Sequence, residues 1–184
     1  MNADTRELES VEPLADEASY RAFEEHMAAH RGIVFKLANA YAPTSEERED
    51  LAQEIYLQLW RSFPRYDRER RFSTWMYRIA LNVAISVSRR AATRFRHTVP
   101  LAPGTEVAET DDDLDPRLEA LQAFIQRLGE LDRALVLLHL EGHGNREIAS
   151  VLGITASNVS TKLSRIRGRM RTELTAAEQY EGGT

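Results

Sequence analysis

The 184-residue chain has no cysteine, which excludes disulfide scaffolds, thiolate zinc sites, iron–sulfur clusters and cysteine nucleophiles. Any redox sensing through thiols must therefore lie in a partner. No apolar run approaches the ~18 residues of a membrane span, and the first residues, MNADTRELESVEPLADE, are acidic where an export signal would be basic and then apolar. A cytoplasmic protein without membrane insertion is expected. There is no Gly-rich phosphate loop and no Gly-x-Ser-x-Gly element, and the carboxylates cluster at a helix start and in a linker, so catalysis by this chain is not expected. No alternating run flanked by turn residues makes a convincing strand.

Apolar residues make up 42% and charged residues 29% of the chain, which suits one soluble globular domain or two small ones. The formal net charge of −5 conceals its distribution. Residues 1–60 carry a net of −8, Arg61 to Arg96 a net of +8, residues 97–119 a net of −6, and Lys162 to Arg171 five cations with no acid. Two basic blocks separated by acid are the footprint of a nucleic-acid binder.

Helical periodicity dominates. A first stretch runs from about Tyr20 to Tyr41 with Phe23, Met27, Ile33, Val34, Leu37 and Ala38 as its apolar members. Thr44 and Glu47 form a capping box for a second helix, which carries Leu51, Ile55 and Leu59 on one face and ends before Pro64. Trp75, Ile79, Val83 and Val87 mark a third. Residues 97–116 contain Pro, Gly and an acidic run without period and read as a flexible acidic linker. Beyond it lies a second helical unit over 117–174. The fold class is therefore all-α: two small helical domains on a string, over 20–96 and 117–174, with an acidic extension at 1–19 and a flexible tail at 175–184.

Asn145 to Arg167 has the layout of a helix-turn-helix. Ala149 is small where helices approach, Gly153 sits where the turn needs a positive φ, Thr155 can cap the next helix, and Val159 lies on its inner face. At 100° per residue, Val159, Leu163, Ile166 and Met170 point one way and Ser157, Thr161, Ser164 and Gly168 the other, flanked by Asn158, Arg165 and Arg171. A short, polar, basic face suits a helix in the major groove; a solvated surface helix is the alternative for the polar face taken alone. In the first unit, arginines interleave with Phe72, Trp75 and Tyr77, the composition that unpaired bases stack on. Trp75 also lies on the stripe of Ile79 and Val83, so a core role stands beside the stacking one. His26 with His30, and His139 with His143, are each four apart, but no third metal ligand is evident.

These motifs resemble a known family. Asp50-Leu-Ala-Gln53-Glu54-Ile-Tyr-Leu-Gln-Leu-Trp60, then Tyr66-Asp67, then Phe72-Ser-Thr-Trp75-Met-Tyr77-Arg78-Ile79-Ala80-Leu-Asn82, is similar to region 2 of bacterial sigma factors of the extracytoplasmic-function (ECF) group of the sigma-70 family. Leu131 to Leu138, Glu141-Gly142, Glu147-Ile148-Ala149, Leu152-Gly153-Ile154 and Val159 to Arg165 are similar to region 4. The resemblance implies a sigma factor that binds core RNA polymerase through the beta-prime clamp helices and the beta flap and initiates transcription at promoter DNA. It implies polymerase contacts at Asp50, Gln53, Glu54 and Gln58. It implies that Arg65, Arg68, Arg71, Phe72, Trp75, Arg78, Asn82, Arg89 and Arg90 open the minus-ten element and hold a flipped base. It implies that Arg146, Thr155, Ser157, Asn158, Thr161, Lys162, Arg165 and Arg169 read the minus-thirty-five element. An anti-sigma factor is the implied regulator; no cofactor and no metal are implied. At position 143 the family often has an aromatic or Leu where this chain has His, and Gly144 stands in place of a Ser or Thr cap. The runner-up is a stand-alone helix-turn-helix regulator with a sensor or dimerisation unit, and a third reading is an adaptor that binds polymerase without reading a promoter.

Overall fold

A computed structural model of the chain describes residues 17–97 and 116–181. Its helices are α1 (Glu17–Tyr41), α2 (Ser45–Ser62), α3 (Phe72–His97), α4 (Pro116–Arg127), α5 (Glu130–Leu140), α6 (Asn145–Leu152) and α7 (Ala156–Glu181), with a 3-10 turn over Phe63–Arg65. There is no strand among the described residues, so the all-α expectation holds.

Local chemistry sets the helix ends. The Thr44 side chain accepts from the Glu47 backbone N–H at 3.2 Å while Glu47 accepts from the Thr44 N–H at 3.2 Å, completing the expected capping box of α2. Proline stands at the first position of α4, where a helix has no use for its missing N–H. Two boundaries differ from expectation. Helix α1 begins at Glu17, inside the expected extension, with Arg21 paired to Glu17 one turn on. Helix α7 continues to Glu181 where a flexible tail was expected, because residues 175–181 contain neither glycine nor proline. The expected linker at 97–116, apart from its two ends, and most of the extension at 1–19 lie outside the described residues.

Helices α1, α2 and α3 pack pairwise into a bundle. Its centre is aromatic: Phe23, fully buried, meets Tyr56, Trp60 and Phe63 at centroid distances of 5.3, 5.1 and 5.2 Å, all edge to face, the geometry that aromatic quadrupoles favour. Helices α5 to α7 form an aliphatic core of Ala134, Leu135, Leu138, Ile148, Val159 and Leu163. Helix α4 adds Phe124 and Ile125, and the residue after it Leu128, against Ile166.

The two units do not sit apart as beads on a string. Helix α3 packs on α5 and α6, and α1 meets α4, so the buried side chains of the bundle and of α5 to α7 form one continuous cluster. Polar contacts stitch the seam. Tyr41 Oη donates to the Glu130 carbonyl at 2.7 Å, Arg133 Nη1 donates to the Ala40 carbonyl at 2.7 Å, and Lys36 Nζ pairs with Glu141 Oε1 at 2.6 Å. The Arg133 guanidinium also lies 5.1 Å from the Tyr41 ring centroid. Burial pushes the phenols of Tyr41 and Tyr77 well above their ordinary pKa.

Candidate nucleic-acid and partner interfaces

The helix-turn-helix forms as its spacing predicts. Gly153 ends α6 in the left-handed region, φ 68° and ψ 31°, a conformation that costs a residue with a Cβ. Thr155 Oγ1 accepts from the Asn158 N–H at 3.2 Å and caps α7. Gly144 precedes α6 in extended conformation without a side-chain cap. Val159, Leu163 and Ile166 are buried, which turns Ser157, Asn158, Thr161 and Arg165 to the exposed side of α7. Arg146 and Arg169 are exposed as well, and the Arg169 guanidinium lies 6.0 Å from the Phe124 ring centroid.

Lys162 departs from its expected place on that face. It lies about 100° further around the helix than Thr161, and its Nζ pairs with Asp132 Oδ1 of α5 at 2.9 Å with both side chains largely covered. Its charge holds α7 to α5.

In the bundle, Arg65, Arg68 and Arg71 lie exposed on the turn and loop before α3, and Arg78, Asn82, Arg89 and Arg90 lie exposed along α3. Phe72 is corrected from a base contact to a core residue: it is 5% exposed and stacks on His26 at 4.5 Å with the planes 14° apart. Trp75 is half-buried, held 5.0 Å from Tyr66 and 5.1 Å from Phe72, so the tryptophan serves the core and shows only part of its ring. Glu54, Gln58, Ile79, Asn82, Val83, Ser86 and Arg90 line a groove of about 270 Å³ between α2 and α3.

Asp50, Gln53, Glu54 and Gln58 are all exposed on α2. The sequence reading passed over Leu57, which is 41% exposed among them. At 100° per residue it falls between Gln53 and Asp50. The signal was available, since Leu57 lies outside the Leu51, Ile55, Leu59 period that fills the core. The reading also passed over the chemistry of the seam. Thr74 Oγ1 donates to Glu147 Oε1 at 2.7 Å, and His143 Nδ1 lies 3.1 Å from Glu147 Oε2 and edge-on to the Tyr77 ring at 5.1 Å. The Thr74 hydroxyl holds the Glu147 carboxyl below the usual carboxylate range, helped by His143 and Arg71 and opposed by burial.

Two helix pairs thus carry exposed cations and amides, one of them beside an acidic face with an apolar centre. The sigma-70 region 2 family matches residues 26–94, and the sigma-70, region 4 family matches residues 118–170. The chain belongs to the sigma-70 family, in the ECF group. Among relatives, the ECF RNA polymerase sigma factor SigE of Mycolicibacterium smegmatis is 28% identical over 162 residues, covering 85% of this chain and 63% of SigE. The chain thus spans somewhat under two thirds of that relative. SigW of Bacillus subtilis, also an ECF RNA polymerase sigma factor, is 27% identical over 83% of this chain and 89% of its own. Two solved structures share the fold. CnrH in complex with the cytosolic domain of CnrY has a TM-score of 0.62 and 23% identity, over 85% of this chain and 90% of that one. The sigma factor RpoE in complex with the anti-sigma factor NepR from Bartonella quintana has a TM-score of 0.66 and 16% identity, over 84% and 98%. No helix among the described residues is long and apolar enough to cross a membrane, and no group of three metal-ligating side chains occurs among them.

Proposed function

We propose that the protein binds core RNA polymerase and directs initiation at one class of promoter, opening the minus-ten element with the α1–α3 unit and reading the minus-thirty-five element with α7. The exposed face of α2 docks on the beta-prime clamp helices. There Leu57 supplies an apolar contact beside Asp50, Gln53, Glu54 and Gln58, an apolar centre with a polar rim. Arg65, Arg68, Arg71, Arg78, Arg89 and Arg90 hold the backbone of the opened strand while Asn82 and the visible edge of Trp75 receive an extruded base. Ser157, Asn158, Thr161 and Arg165 meet base edges and phosphates of the duplex, with Arg146, Thr155 and Arg169 at its margins and the α4–α7 unit on the beta flap. An anti-sigma factor is the proposed regulator, by analogy with the RpoE complex.

One observation carries this reading over a stand-alone helix-turn-helix regulator. Glu54 and Gln58 of the docking face share a single groove with Asn82 and Arg90 of the strand-contacting face, so a partner on α2 adjoins a strand on α3. A sensor or dimerisation unit has no need of that juxtaposition, and an adaptor has no need of the polar face of α7. The test is reconstitution with sigma-free core enzyme and a library of promoter fragments. Specific run-off transcripts are expected. Strong duplex binding without core binding or initiation would overturn the proposal. Within it, Asn82→Ala should impair promoter opening more than core binding, whereas Leu57→Asp should remove core binding.

A further inference from the structure

The loop between the 3-10 turn and α3 is built around one half-buried tyrosine. Tyr66 Oη donates to the Arg70 carbonyl at 2.6 Å, reaching across the segment that carries Arg68 and Arg71. Its ring stands 5.0 Å from Trp75 and 5.3 Å from the buried Phe72, so the hydroxyl is braced from inside the bundle. The Tyr66 N–H donates to the Phe63 carbonyl at 2.9 Å and fixes where the ring enters.

Asp67 closes the turn. Its carbonyl accepts from the Arg70 N–H and its Oδ1 from the Glu69 N–H, both at 3.0 Å, and its Oδ2 lies 3.3 Å from Arg70 Nε. The Arg70 charge is therefore paired within the loop, while Arg68 and Arg71 on either side stay exposed. The carbonyl next along, that of Arg71, accepts from the Trp75 N–H at 3.2 Å and starts α3. One line of contacts thus runs from the bundle interior, through the Tyr66 hydroxyl, to the backbone that carries Arg71. A loop that must order itself as it binds gives up affinity, whereas one already held in shape keeps it.

We propose that Tyr66 is a positioning residue for strand binding: its ring is anchored against Phe72 and Trp75, and its hydroxyl is a strut on the Arg70 carbonyl that sets Arg68 and Arg71 in place before a strand arrives. The proposal rests on the reading of those two arginines as strand contacts. Tyr66 acts through the loop and not by touching a base.

Tyr66→Phe keeps the ring and removes only the strut. The full chain is titrated with fluorescein-labelled single-stranded dT20 at fixed low salt and followed by anisotropy. Four forms are compared: the parent, Tyr66→Phe, Arg68→Ala with Arg71→Ala, and all three substitutions together. The strut predicts that Tyr66→Phe binds dT20 about fivefold more weakly than the parent. On the background lacking both arginines, the same substitution should weaken binding by less than about twofold. Hydrogen exchange read by mass spectrometry should quicken over residues 66–71 in Tyr66→Phe, with α1 and α2 exchanging as in the parent. If the double arginine variant binds weakly but Tyr66→Phe binds as the parent does, the strut is overturned and the strand reading stands. An equal loss on both backgrounds means that Tyr66 acts apart from the arginines and also overturns the strut. Exchange quickened throughout the bundle marks a fold defect and does the same. Binding indifferent to loss of both arginines removes the strand reading and the strut with it.

Discussion

The α1–α3 and α4–α7 units both carry exposed cations on helices, but they are built from different interiors. The first fills its centre with rings, Phe23 against Tyr56, Trp60 and Phe63. The second is mainly aliphatic and shares part of its core with the first through Leu135, Leu138 and Ile148. A small aliphatic unit, with less surface to bury, leans on its neighbour. That difference matches the proposed tasks: the first unit must keep a groove while a strand is forced open, whereas the second must only present one helix to an intact duplex.

The comparison breaks most readily at the cores. Phe23→Ala should destabilise by about 3–5 kcal/mol and Leu138→Ala by about 2–5 kcal/mol, read by urea denaturation followed by tryptophan fluorescence and circular dichroism. Both tryptophans, Trp60 and Trp75, lie in the first unit. If its core is independent, Leu138→Ala should lower the circular dichroism midpoint more than the fluorescence midpoint. Coincident shifts would mean that the seam welds the units into one cooperative body.

Next in size is the turn. Gly153→Ala adds a Cβ that meets nothing within 4 Å, but at φ +68°, so the expected loss of roughly 1–2 kcal/mol is purely backbone strain. Gly168→Ala, in the middle of α7 and equally open, should instead stabilise by about 0.5–1 kcal/mol. Differential scanning calorimetry should show the two moving in opposite directions.

The proposed split between opened strand and duplex is sharpened by Arg78→Ala and Arg165→Ala, both exposed. The first should weaken holoenzyme binding to a pre-melted promoter and the second to a closed duplex, each by about 1 kcal/mol and each reducing the salt slope by about one. Equal losses on both templates would erase the distinction between the units. The smallest effect concerns pH. Because the folded-state pKa of Glu147 is lowered, its contribution is fully present above the unfolded value of about 4.3 and is lost as pH falls through the folded one. The thermal midpoint of the parent should therefore fall more steeply with acid than that of Glu147→Gln.

Much of this was legible in the chain. Leu51, Ile55 and Leu59 repeat with the helical period, and Thr44 with Glu47 marks where α2 starts. Gly153 and Thr155 mark the turn, since few residue types suit a left-handed cap or a side-chain N-cap. Phe72 and Lys162 were misplaced for a common reason. An aromatic beside arginines, or a lysine beside a recognition face, has a chemistry that suits DNA, but what it touches depends on a neighbouring helix: His26 of α1 in one case and Asp132 of α5 in the other. Leu57 differs: its position outside the Leu51, Ile55 and Leu59 period is legible in the sequence, and its 41% exposure agrees with that.

Composition, charge blocks and periodicity determined an all-helical chain with a helix-turn-helix and two cationic surfaces, because those properties follow from local backbone preference and from burying one face of each helix. The tertiary structure alone decided that the units meet, and that Tyr41, Thr74, Tyr77, Arg133 and Glu147 make the seam. Thr74, Arg133 and Glu147 carry no periodic signal: each can face water as readily as a partner, and only the approach of a second surface supplies the hydrogen bonds that make their partial burial favourable.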